Sequence, residues 1–277
     1  MSMLNGWHPG ERIVHHKLGH DSDLSIMGQY QYIDCDLPTD HAKFHSTQLP
    51  FVPITTLDST GRPWGSILAG KDGKPGFIKN PRYSVLSVKA KVWPGDPLLE
   101  TAKTFGDGDI LIAGIGIEFL TRRRNKFAGK MTRLERDNEM FSMDWTVNEA
   151  IGFVPYPFYP NDSFYCYRNC PKYINLRDLV PHPTTSPNVT HQRLHLEPED
   201  RLPDPLISFI HASDTVFFGT TYAAPSLEAP KFPSHLGMNQ RGGRPGFVRV
   251  MPSDGRTVIL PDYSGAHSIL ISILILH

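Results

Sequence analysis

The run Phe51-Val52-Pro53-Ile54-Thr55-Thr56-Leu57, then Asp58-Ser59-Thr60-Gly61-Arg62-Pro63, then Trp64-Gly65-Ser66-Ile67-Leu68-Ala69-Gly70, decides the fold class. Two β-rich segments flank a cluster of turn formers, which is the sequence form of a hairpin. Further short strands are expected at residues 83–90, 109–119 and 126–134, with one or two helical turns over 97–103. Pro9 and Glu11 open a mixed polar and apolar run that predicts a helix over residues 10–18. Strands at this spacing indicate a mainly β, α+β protein built as a barrel or a sandwich.

The same hairpin signal returns later in the chain. Residues 63–78 align without gaps on residues 233–248, the matching piece being G-[KR]-P-G-F-[IV]: Gly73-Lys74-Pro75-Gly76-Phe77-Ile78 against Gly243-Arg244-Pro245-Gly246-Phe247-Val248. Upstream, Ile54-Thr55-Thr56-Leu57 resembles Gly219-Thr220-Thr221-Tyr222, with extra residues in the later segment. A period this long is too great for a solenoid and indicates a duplicated domain whose halves pack together. Between the halves, residues 181–205 carry prolines at 181, 183, 187, 198, 203 and 205, the composition of a linker. The expected organisation is a helical extension over 1–46, a first β domain over 47–180, the linker over 181–205 and a partial second copy over 206–277. The second copy is expected to lack the strands that would complete it.

Charge excludes some partners. Lys plus Arg and Asp plus Glu both total 28, so there is no basic excess for nucleic acid or an anionic membrane. The apolar tail, residues 268–276, is far shorter than the ~20 residues of a spanning helix and reads as a strand. Cys35, Cys166 and Cys170 form no even framework, and the polar, histidine-rich N-terminus lacks a signal-peptide core, so a cytoplasmic protein without disulfides is expected. Neither a dinucleotide fingerprint nor a P-loop is present.

Six stretches carry a family resemblance: WHPGER (7–12), GRPWGSILAG (61–70), IGIEFLTRRRNKFAGK (115–130), NCPKYI (169–174), SHLGMNQRGGRPGFVRV (234–250) and DGRTVILPDYSG (254–265). Together they resemble the flavin-binding split barrels around pyridoxamine-5'-phosphate oxidase, particularly fungal members that continue into a reductase module. The resemblance implies an FMN-binding split β-barrel, tandemly duplicated with an incomplete second copy, acting as a flavin-dependent oxidoreductase on an unidentified small molecule. It further implies that Arg241, Arg249 and Ser264 hold the FMN phosphate. Where family members continue with an Asn-Arg pair, this chain reads Ala266-His267, so one expected phosphate ligand is missing. The competing function is a non-catalytic remnant that binds a partner by strand pairing or forms a homodimer.

Each candidate site residue has a plainer alternative. Arg241-Gly242-Gly243 offers a forked donor and close main-chain approach to an anion, or a tight turn with a surface arginine. Asp262, Tyr263 and Ser264 either donate hydroxyls to the cofactor or cap a strand over 257–260. Arg122-Arg123-Arg124-Asn125 reads first as a solvated charge run and second as an anion pocket. Asn169 and Lys172, around Pro171, look like a helix start facing the flavin. Cys166 and Cys170 do not have zinc spacing, and His8, His15, His16 and His20 lack the glutamate of a metalloprotease helix, so no metal is expected.

Overall fold

The computed structural model describes residues 6–23, 27, 33–104, 110–152, 171–195, 197–261 and 273–275. The expectations for Asp109, Asn169, Cys166, Cys170, Asp262, Tyr263, Ser264 and most of the tail therefore lie outside the described residues. The elements run α1 (Pro9–Lys17), α2 (Thr39–Thr47), β1 (Phe51–Leu57), β2 (Pro63–Ala69), β3 (Ile78–Arg82), β4 (Val85–Lys91) and α3 (Leu98–Thr104). They continue with β5 (Ile110–Glu118), β6 (Arg123–Asp137), β7 (Met140–Gly152), α4 (Asp204–Ala212), β8 (Thr215–Tyr222), β9 (His235–Gly242), β10 (Arg249–Val250), β11 (Thr257–Ile259) and β12 (Ile273–Ile275).

The hairpin that decides the fold forms as its sequence indicates. Phe51 to Leu57 pair antiparallel with Ala69 to Pro63. Asp58 makes the turn: its carboxylate accepts from the Thr60 and Arg62 amides and from the Trp64 indole N–H at 2.8, 3.0 and 2.9 Å. Strands then follow the order β2-β1-β5-β6-β7-β4-β3, and the Ala69–Lys91 bridge joins β2 back to β4. The result is a closed antiparallel barrel of six strands, with β3 attached outside β4. Closure removes the exposed edges that an open sheet of this size would carry. The protein is mainly β, as expected, although β3, β7, α2 and α4 were not anticipated.

The barrel interior holds Val52, Ile54, Leu68, Leu86, Ile112, Met143 and Trp145, with the Phe127 ring stacked on Trp145 at 5.4 Å. β5 buries both of its faces: Ile112 points to this core, whereas Ala113, Ile115 and Ile117 belong to a second apolar cluster with Leu236 and Met238 of β9 and Ile174. The near-continuous apolar run ILIAGIGI is the sequence of a strand covered on both sides. What covers the outer side is the β8–β9 hairpin.

That hairpin sits close against the barrel. The Thr55 hydroxyl donates to the Gly237 carbonyl at 2.9 Å, and a Cβ on Gly219 would stand 2.7 Å from Thr55 side-chain atoms, so the position admits only glycine without rearrangement. Local parallels accompany the sequence match. Gly76 and Gly246 both take positive φ, +106° and +86°, and Phe77 and Phe247 are both buried behind them. Between the regions, the described residues of 175–201 form no helix or strand, in keeping with the proline count. Pro205, assigned to the linker by composition, instead lies in the first turn of α4, where its fixed φ is tolerated. Among the described residues no helix is long and apolar enough to cross a membrane.

Candidate functional site

Strand periodicity assembles the site. In β6, Arg124, Lys126 and Ala128 point to one face, and Ala128 is packed in the outer cluster with β9. That alternation therefore aims two cations at the seam between barrel and hairpin. From the other side, β9 contributes Asn239, Gln240 and Arg241, all buried, with Arg241 only 3% exposed. The Lys126 ammonium donates to Asn239 Oδ1 across the seam. Arg241 donates from Nη1 to the Gln240 carbonyl at 3.0 Å, and its guanidinium lies 5.4 Å from the Phe218 ring centroid.

Electrostatics mark this as the place where charge is most confined. Burial, with the Arg124 and Arg241 charges beside it, pulls the Lys126 ammonium well below the usual lysine range, while Glu11 opposes that shift. Glu11 itself is pushed up to about 7, chiefly by burial, with Glu149 adding to the rise and Lys126 acting against it. Burial also raises the Glu149 carboxyl. Lys126 thus stands between the Arg124 and Arg241 charges and the Glu11 carboxyl of α1, and Glu149 of β7 neighbours Glu11 and His235.

α1 closes one end. His8 caps it, accepting from the Gly10 and Glu11 amides at 3.1 and 3.3 Å, and the Glu11 carboxylate accepts from the His8 amide at 3.3 Å. The His8 ring stacks on Tyr222 at 4.4 Å and meets His235 edge-on at 4.9 Å, fastening the helix to the loop end of the β8–β9 hairpin. Burial and the His235 charge depress His8 to about 4, so it stays neutral. His15, the one buried residue of α1, packs against Trp7, whereas His16 is exposed beside Asp21. No cluster of three or more metal-ligating side chains occurs among the described residues.

The candidate residues have separate fates. Arg241 and Gly242 lie in the seam; a Cβ on Gly242 would stand 1.9 Å from the Tyr173 carbonyl oxygen, so close backbone packing explains this glycine. Gly243 follows, its amide donating to the Asp214 carbonyl at 2.9 Å. Arg249 is exposed on β10, in a different sheet, and the interactions of Arg241 run to β6. Lys172 is exposed, and Pro171 to Ile174 make a turn with Tyr173 at φ 66°, not the expected helix start. The basic run divides: Arg122 is exposed, while Arg124 and Asn125 are buried, which corrects the solvated reading for those two.

Sequence reasoning missed Lys126, Asn239, Glu11 and Glu149. The signal for Lys126 was present, because Arg124-x-Lys126-x-Ala128 alternates charge with a small residue along a strand. Nothing local marks the carboxyl groups, which matter only through the packing of α1 and β7.

No protein-family model matches the chain, and no curated protein matches it significantly. Among solved structures, the chain is similar to an F420 reductase, at 9% identity and TM-score 0.29 over 41% of this chain and 97% of that one. It is also similar to HupZ of Group A Streptococcus, at 10% identity and TM-score 0.29 over 42% and 98%. A third is a putative 5-nitroimidazole antibiotic resistance protein from Bacteroides thetaiotaomicron, at 8% identity and TM-score 0.25 over 42% and 85%. At these scores the likenesses carry no argument about activity.

Proposed function

We propose that the protein binds a phosphate-bearing flavin, FMN, in the seam and is a flavin-dependent oxidoreductase of the split-barrel type. The observation that carries this reading is the confinement of Arg124, Lys126 and Arg241 between strands far apart in the chain. A phosphate dianion suits such a donor set, since charge-assisted hydrogen bonds return what desolvating the cations costs. The neighbouring Gln240 Oε1 is buried without a hydrogen-bond partner and suits an N–H donor, which the flavin ring has. Bound flavin would supply the redox chemistry. The chain's own part is to hold the phosphate on Arg124, Lys126 and Arg241 and to exclude water through the apolar strip of Ile115, Ile117, Leu236 and Met238. In this reading the β8–β9 hairpin is the opening of a second, duplicated barrel, and Arg249, Lys172, Asn169, Asp262, Tyr263 and Ser264 remain flavin contacts by resemblance alone.

One observation favours a second reading, a non-catalytic binding protein. Glu11 already interacts with Lys126, so part of the seam's charge has a counterpart without any ligand. The two readings separate on an absorption spectrum taken after incubation with excess FMN and desalting. Retained flavin bands support the first, and a clean protein spectrum supports the second. If FMN is retained, Arg241→Ala is expected to weaken it by about 2 kcal/mol, roughly 30-fold in Kd.

A further inference from the structure

The barrel carries a second concentration of positive charge, away from the seam. A groove of about 610 Å³ is lined by the loop from Gly70 to Phe77, by Lys79 of β3, Ser87 to Lys89 of β4, Arg133 of β6, and Met140 and Ser142 of β7. Its cations are Lys71, Lys74, Lys79, Lys89 and Arg133, against the single lining carboxylate of Asp72. Arg133 is held by Asp144 and Glu135 at 2.7 and 2.8 Å. The four lysines are exposed, and none makes an ion pair among the described residues.

In a chain whose formal charges sum to zero, four ammonium groups against one carboxylate around one concavity are a local excess that an anion would relieve. The groove is also shaped in advance. The Phe77 carbonyl accepts from the Lys89 amide at 2.9 Å, the Gly73 amide donates to the Gly70 carbonyl at 3.0 Å, and Pro181 packs against Gly73 from outside. Its apolar lining is Pro75 and Met140, since Phe77 and Val88 are packed into the barrel core. An apolar patch beside a cationic rim, at a volume usual for small-molecule sites, fits a ligand with an organic body and more than one anionic group.

We propose that this groove binds a nucleoside diphosphate or triphosphate, its base against Pro75 and Met140 and its phosphates among Lys71, Lys74, Lys79 and Lys89. The site is independent of the seam and stands whether or not flavin binds there. The test is calorimetric titration of the full chain with ADP, and separately with pyrophosphate, at low and moderate salt. The expected result is saturable one-to-one binding of ADP, tighter than pyrophosphate, weakened at least tenfold in Lys74→Glu/Lys79→Glu and unchanged in Arg241→Ala. These lysines are exposed, so the double variant should keep the wild-type melting curve; if it does not, Lys89→Gln replaces it in the same comparison. Failure of ADP to saturate, equal affinity for ADP and pyrophosphate, or indifference to the lysine substitutions overturns the proposal. Loss of ADP binding in Arg241→Ala alone overturns it as well, because the nucleotide would then occupy the seam.

Discussion

α2 and α4 are both nine-residue helices that lead directly into the first strand of a hairpin, yet only α2 has a roof. It buries His41, Ala42, Phe44 and His45, and a Cβ on Gly116 of β5 would stand 2.6 to 3.0 Å from Leu49, Phe44 and His45 atoms. α4 buries no residue, and Phe209, in the place corresponding to Phe44, is 71% exposed. The difference is not in the helices, since α4 is the more apolar of the two. It lies in what covers them: α2 packs against β3 and β6, with Gly116 of β5 close against Phe44 and His45, whereas the main strand neighbour of α4 is the short β10. Local sequence pattern makes the helix and the hairpin, and distant strands decide whether either one stabilises the fold.

The largest expected effect breaks that comparison directly. Phe44→Ala should destabilise by about 3–5 kcal/mol, the usual cost of emptying a packed aromatic site. Phe209→Ala should fall within about 0.5 kcal/mol, as exposed positions do. Chemical denaturation of both variants checks the pair, and similar losses would mean that α4 is covered after all. Next in size, Gly242→Ala forces a methyl onto the Tyr173 carbonyl and should cost about 1–3 kcal/mol by overpacking. Gly246→Ala, with φ +86° and nothing near its Cβ position, should cost only about 1–2 kcal/mol of backbone strain.

Smaller effects sharpen the comparison through pH. Burial under the strands lowers His45 to about 3, so the unfolded chain binds its proton first. His45 therefore contributes stability that is complete above about pH 6.5 and drains away as pH falls toward 3. The nearby charges of His41 and Arg123 push the same way. Glu11 in the seam has the opposite sign: raised to about 7, it favours folding at low pH and loses that contribution as pH rises from 4.5 through 7. Melting curves of His45→Leu and Glu11→Gln from pH 4 to 8 should each flatten one limb of the stability profile. Flattening of the same limb by both would contradict these assignments.

Most of the barrel was legible in sequence because its strands announce themselves by turn residues and by β-branched runs. β7 was missed because Met140-Phe141-Ser142-Met143-Asp144-Trp145-Thr146 alternates without a strong turn signal beyond Asp137-Asn138. α2 was missed because two histidines sit on its buried face, where composition suggests solvent. The site was half visible. Arg241 stood out beside its glycines, but Arg124 looked like one more member of a surface run until the register of β6 turned it inward. Glu11 and Glu149 come from segments that only tertiary packing brings to the seam.

The irregular segment between the two regions is fastened along its length: Pro181 against Gly73, Val189 against Gly95, the Leu194 carbonyl accepting from Arg62 at 3.3 Å, and the Leu202 amide donating to the Gly255 carbonyl at 2.9 Å. Each fastening divides one long loop into shorter ones, and closing a loop of half the length costs about 0.6 kcal/mol less. The connection therefore acts as a strap that keeps the β8–β9 hairpin at high effective concentration beside β5, so that a hairpin unfastened from its seam returns to it without a search through solvent.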